Sequence, residues 1–350
     1  MEQSKPTGCT PWAPNNPKTH VSRLQLPVFK APSEGTQVKP PPHWWVECNR
    51  RNSPMSFARL QTRPRHSSAF TLVELMIVIA IVGVLASLVT VGVMKGLEKG
   101  KQVAARTEIS QLEAAIAAAK QNFGNVDNLP SVLEFYSNGP NFKAAADAVT
   151  MTGAPLNPLT RNTFNFFTKV FGRNWYSNTT LQWLGNSVPV ANYQNQPKQL
   201  TSMEALTFLL GGYVDSSGAS PKFLGFSSNP LNPMDVTNTK YKVKGPFYEF
   251  DASRLKTGTN FFTYRTGWDG PYAYHSSADY TLYTVAPLPF KSSATAFINP
   301  KTFQLVNSGP DQLLGSGGLY SPGNGDYALG GVGYDDLANF SSTQLGKKDE

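Results

Sequence analysis

Residues 70–93 read FTLVELMIVIAIVGVLASLVTVGV, twenty-four residues with one charge, Glu74. As an α-helix rising about 1.5 Å per residue, the run spans roughly 36 Å, more than the ~30 Å hydrocarbon core of a bilayer. A cleaved secretory signal has a shorter apolar core with small residues behind it. Here the small residues Ser67, Ser68 and Ala69 lie ahead of the run. The segment is therefore expected to stay in a membrane. A carboxylate four residues into such a span costs about 2.5–3.5 kcal/mol on insertion scales, which makes Glu74 a functional candidate unless it only snorkels to the interface.

The flanks differ sharply from the span. Of the formal charge of +8, residues 1–69 carry +7, from ten Lys/Arg against three acids, and residues 70–350 carry +1. The basic pI therefore belongs to the N-terminal stretch, and no nucleic-acid partner is expected for the rest. Both cysteines, Cys9 and Cys48, also lie there, which excludes a disulfide-stapled or multi-cysteine zinc fold downstream. Ten prolines in residues 1–54, without an apolar period, predict a disordered leader. Met55 offers a second start, which leaves Arg59, Arg63 and Arg65 just before the span.

Beyond the span, no proline interrupts Lys95 to Asn122. Val103, Ile109, Leu112, Ile116 and Ala119 recur at helical steps, while Glu108, Gln111, Glu113 and Lys120 fill the other face. Gly124 supplies a stop, so one helix of 53 residues is predicted from Phe70 to Asn122. Its membrane part is 70–93 and its amphipathic part 94–124, with an external globular domain over 125–350. Gly92, Gly96 and Gly100 either weaken the helix or permit close helix packing. Short helices are predicted at Ser131–Tyr136, Phe142–Thr150 and Met203–Leu210. Strands are predicted at Phe247–Phe250, Phe261–Tyr264, Pro271–His275, Tyr280–Val285 and Phe303–Val306. The fold class is α+β, a long N-terminal helix packed on a small antiparallel sheet with long loops.

The junction Ser67-Ser68-Ala69-Phe70-Thr71-Leu72-Val73-Glu74-Leu75, with its basic leader and apolar helix, resembles the N-terminus of type IV prepilins and type II secretion pseudopilins. The resemblance covers residues 63–122 and implies a pilin-like fold. It implies that a prepilin peptidase cuts between Ala69 and Phe70 and methylates the Phe70 amine. It also implies that Glu74 meets the Phe70 ammonium of a neighbouring subunit on assembly, consistent with the tolerance of buried charges only in pairs. The implied partners are that peptidase, copies of the chain, other pilin-like subunits and an inner-membrane assembly platform. The implied location is a bacterial inner membrane, with the globular domain external and later part of a periplasmic or cell-surface filament. Two positions depart from the family pattern: Ala69 stands where glycine is usual, and Val91 where many relatives have proline.

Towards the C-terminus, Trp268-Asp269-Gly270-Pro271-Tyr272 precedes a hairpin, followed by Asn307-Ser308-Gly309-Pro310-Asp311 and a glycine-rich loop through Asp335-Asp336. This order resembles the C-terminus of the major pseudopilins, where a calcium ion stabilises the loop. Calcium takes six to eight oxygens, and Ser308, Asp311, Asp335 and Asp336 could supply some; the alternative is a glycine loop with solvated acids. Phe164, Phe166, Phe167, Phe171, Trp175 and Tyr176 are expected to pack in the core, with a subunit contact or ligand-stacking surface as the alternative. His275 has no cysteine or second histidine to join and is expected to be structural or exposed. No nucleophile elbow, P-loop, dinucleotide fingerprint or zincin motif occurs, so no enzyme is expected. The leading expectation is a pilin or pseudopilin subunit; the alternative is a non-polymerising, membrane-anchored envelope protein that binds a ligand.

Overall fold

The structure, a computed structural model, describes residues 70–347. The leader 1–69, with Ala69, Met55 and the expected disorder, lies outside the described residues. Leu72–Asn122 forms one helix of 51 residues, α1. It starts at Leu72 instead of Phe70 because Thr71 is extended (φ −73°, ψ 147°) and caps the first turn. It ends where Phe123 N–H donates to the Ala119 carbonyl at 2.9 Å and Gly124 turns left-handed at φ +84°. The helix runs unbroken through Gly92, Gly96 and Gly100, and a Cβ on any of the three would meet nothing within 4 Å.

Burial along α1 begins at Ala105 and continues through Ile109, Leu112, Ala115, Ile116 and Ala119, a stripe at three- and four-residue steps. Val103 is exposed, against expectation. At 3.6 residues per turn it lies about 160° from Ala105, on the far side of the helix from the buried stripe. The globular part packs against this stripe and leaves the apolar residues before it uncovered.

After α1 the chain forms β1 (Val132–Phe135), α2 (Gly139–Asp147) and α3 (Pro158–Phe171). β2 (Lys198–Thr201) and α4 (Met203–Gly211) follow. The predicted helix at Ser131–Tyr136 is a strand instead. Val132–Phe135 pairs antiparallel with Thr201–Lys198, a partner that local propensity does not reveal. α2 matches the predicted second helix in place, and α4 the third. α3 was not anticipated, although Asn157 and Pro158 open it and Gly172 closes it.

Three short antiparallel pairs come next: β3 (Val214–Asp215) with β4 (Lys222–Phe223), β5 (Phe226–Ser227) with β6 (Val243–Lys244), and β7 (Leu255–Thr257) with β8 (Phe262–Tyr264). The main sheet comprises β9 (Tyr272–Ser276), β11 (Phe303–Asn307) and β13 (Leu337–Ala338), with β11 central and both pairings antiparallel. Between them β10 (Phe290–Lys291) pairs in parallel with β12 (Gly318–Leu319). The predicted strands at Phe261–Tyr264, Pro271–His275 and Phe303–Val306 are thus present. Phe247–Phe250 is not a strand, since Phe247 N–H donates to the Leu210 carbonyl at the end of α4. Tyr280–Val285 is also not one: Tyr280–Leu282 is a 3₁₀ turn, with Leu282 N–H donating to the Asp279 carbonyl.

α4 is buried throughout. Around it the aromatic run of α3 enters the core as expected: Phe167 stacks on Trp183 at 4.9 Å, and Phe164 meets Trp175 at 5.2 Å. Phe166, Phe171 and Tyr176 are partly covered and pack on the same core. Those rings are spent on packing, the outcome expected for the cluster, and not on a ligand-stacking surface.

Candidate functional site: the bare end of the long helix and two charged clusters

At the start of α1, Glu74 N–H donates to Thr71 Oγ1 at 3.2 Å, and Thr71 N–H donates to Glu74 Oε2 at 2.9 Å. The Thr71 hydroxyl adds a third bond to the same carboxylate oxygen at 3.0 Å. This reciprocal arrangement is a capping box, which satisfies two backbone N–H groups that a helix start otherwise leaves open. The Thr-x-x-Glu spacing was in the sequence and went unread beside the cost of a charge in a membrane. Phe70, one residue earlier, is 84% exposed. From Leu72 to Leu97 the large apolar side chains are all exposed wherever they are described. A contiguous run of exposed apolar side chains of this length is the mark of a membrane or protein contact surface. Among the described residues, α1 is the one helix long and apolar enough to cross a membrane, with a mean hydropathy of 2.8 in its most apolar window.

Three turns past the apolar run, α1 carries a cluster that the sequence reading assigned to the wrong face. Glu108 precedes Ile109 and turns toward the globular part, where its side chain is only 12% exposed. Arg254 grips it bidentately, Nη1 to Oε1 at 2.7 Å and Nη2 to Oε2 at 2.8 Å. The Tyr264 hydroxyl donates to Oε1 at 3.0 Å, and the Tyr272 hydroxyl to Oε2 at 2.5 Å. Tyr248 adds a longer bond at 3.4 Å. β8 and β9 supply Tyr264 and Tyr272, whose rings stack with an interplanar angle of 1°. The Arg254 guanidinium lies 4.4 Å from the Tyr264 ring centroid. Burial alone would lower the Arg254 pKa, but the hydrogen bonds and charge of Glu108 outweigh it and hold the pKa above its usual value. Burial, and then the Glu108 charge, push the Tyr248 hydroxyl up to about 12.

The C-terminal candidates lie in the chain between β11 and β13. Asp335 Oδ2 accepts from Asp311 N–H at 3.0 Å, so these two loops are joined. Gly309 between them has φ +63°, and a Cβ there would come within 2.5 Å of the Asp335 carbonyl oxygen. Asp336 is fully buried; Oδ2 accepts from Gly315 N–H at 2.9 Å, whereas Oδ1 has no partner. Burial, together with the neighbouring Asp335 and Asp311 charges, raises the Asp336 pKa to about 8. Ser308 Oγ is buried without a partner, at a point where a Cβ on Gly270 would approach it to 2.1 Å. Among the described residues, no three His, Cys, Asp or Glu side chains are grouped to hold a metal ion. His275, on β9, is fully buried with neither ring nitrogen hydrogen-bonded, edge-on to Tyr283 at 4.6 Å. Burial lowers its pKa to about 3, so the imidazole is neutral.

Residues 64–90 match the family model of the prokaryotic N-terminal methylation motif, the class III signal of type IV pilins and pseudopilins. The match ends inside α1 and includes both partners of the capping box. No curated protein and no solved structure matches the chain. The chain therefore carries a pilin-type processing motif at the head of a long apolar helix, an arrangement that suggests a membrane anchor.

Proposed function

We propose that this chain is a structural subunit of a type IV pilus or type II secretion pseudopilus. In this reading a prepilin peptidase cuts between Ala69 and Phe70 and methylates the Phe70 amine. The bare stretch of α1 first anchors the subunit in the inner membrane, with the globular part external. It then packs against the same stretch of other subunits, a head-to-tail contact that does not close and so extends a filament. Glu74 has two roles in sequence: it caps its own helix in the lone subunit and faces the methylated Phe70 amine of a neighbour after assembly. The observation that supports this most is the continuity of the motif at 64–90 with an apolar helix that the rest of the chain leaves uncovered.

N-terminal mass spectrometry of the protein recovered from its host membranes tests the reading. A chain beginning at methylated Phe70 is expected, and an intact leader would favour a simple anchor. The calcium ion that the resemblance implies for the acidic loop does not fit the geometry: among the described residues Asp311, Asp335 and Asp336 are not grouped as a metal site, and Asp335 Oδ2 already accepts from Asp311 N–H.

A further inference from the structure

Lys95, Glu98 and Lys99 of α1 face Asp311, Asp335 and Lys347 of the C-terminal region across an open groove of about 590 Å³. None of these six side chains is in an ion pair among the described residues, although three are basic and three acidic. Leu329, 85% exposed, immediately precedes the groove-lining Gly330, and Leu313, 54% exposed, follows Asp311.

The position of the groove along α1 gives this arrangement a partner. Leu72 to Val93 covers about 33 Å of helix, which fills a hydrocarbon core of ~30 Å. Lys95 then lies about 3 Å beyond its edge, inside a headgroup layer roughly 5–8 Å deep, and Lys99, at about 9 Å, lies at the outer boundary of that layer. The groove and its mixed charges, with Leu329 and Leu313 next to its lining residues in the chain, therefore meet the level where phosphates and amines are found. We propose that this groove seats zwitterionic phospholipid headgroups, phosphate toward the lysines and ammonium toward the carboxylates, while Leu329 and Leu313 dip into the interface. The site rests on the membrane-anchor reading of α1. It makes the glycine-rich C-terminal loop a second, reversible contact between subunit and membrane.

The test uses the full chain, with Cys9 and Cys48 changed to serine, in vesicles of phosphatidylethanolamine and phosphatidylglycerol. Single nitroxide labels are placed at L85C in the span, at L329C and L313C beside the lining residues, and at M151C on the α2–α3 loop. Met151 is fully exposed, and the neighbouring α3 packs near Phe123 at the other end of α1. At L329C and L313C, accessibility to a water-soluble nickel chelate should fall at least threefold relative to M151C. K95Q/K99Q and D311N/D335N should each restore it. Labels at L329C and L313C as accessible as M151C, with L85C lipid-embedded, would overturn the headgroup site while leaving the anchor intact. A water-accessible L85C would overturn both. Equal protection in vesicles of phosphatidylglycerol alone would overturn the zwitterionic assignment.

Discussion

Changing Glu108 to alanine removes the acceptor for both Arg254 guanidinium bonds and for the Tyr264 and Tyr272 hydroxyls. Glu108 and Arg254 side chains are 12% and 24% exposed, so solvent cannot readily replace what is lost. Removing one partner from a largely buried pair costs about 3–5 kcal/mol, because the other charge stays behind uncompensated. In a globular part of this size, each kcal/mol corresponds to roughly 2–4 °C, which places the expected drop in melting temperature at about 6–20 °C. The measurement is thermal unfolding of the full chain in detergent micelles, followed by near-ultraviolet circular dichroism. The double variant E108M/R254M removes both charges and fills the space with apolar volume, so it should recover most of the loss. A drop below about 2 °C in E108A, or a double variant less stable than either single one, would contradict the clamp.

His275 provides a pH test. Its pKa is about 3 when folded and 6.5 when unfolded, so below pH 6.5 the unfolded chain takes up a proton that the folded chain refuses. Relative to H275L, stability should fall by about 1.4 kcal/mol per pH unit from 6.5 toward 3 and be flat above 6.5; parallel curves would exclude this. Asp336 acts in the opposite direction: its pKa is raised to about 8, so its contribution is fully present below pH 3.8 and is lost as pH rises through 8. In D336N the loss of stability between pH 6.5 and 8 should be smaller than in the parent chain. At the helix start, T71A should cost about 1 kcal/mol of helix stability, seen as faster amide exchange in the first turn. T71A should still assemble, whereas E74A should stay in the membrane and fail to form filaments; normal filaments in E74A would exclude its role in register. Finally, G309A should destabilise the junction of the two acidic loops, through both its positive φ and the approach to the Asp335 carbonyl, and an unchanged melting temperature would count against that strain.

What the sequence revealed was whatever is encoded locally. The apolar run and the 3.6-residue stripe through Ile109, Leu112, Ile116 and Ala119 carry their own pattern, and the aromatic stretch at Tyr272–Tyr274 its own strand preference, and each forms the expected element. Val132–Phe135 and the Glu108 cluster were missed for one shared reason. The strand is decided by Lys198–Thr201, and the environment of Glu108 by residues 140 or more positions later. A charged residue on a helix was read as solvent-facing because the donors that satisfy it lie far along the chain. Its place beside Ile109 and one turn before Leu112 was the available signal. Asn157-Pro158 and Gly172 likewise marked the ends of α3, but the dense aromatics between them drew the reading toward packing alone.

The boundary at Ala105 has a mechanical meaning. Leu72 to Ala104 is about 50 Å of helix along which the globular part buries no described side chain. Whatever grips that arm, a pull on the globular part reaches it through α1 from Ala105 to Phe123. The strongest polar bonds there cross the helix axis, from Arg254, Tyr264 and Tyr272 to one carboxylate. Tension along the axis loads those bonds in shear, together and not one after another, so the clamp should yield abruptly at a threshold force.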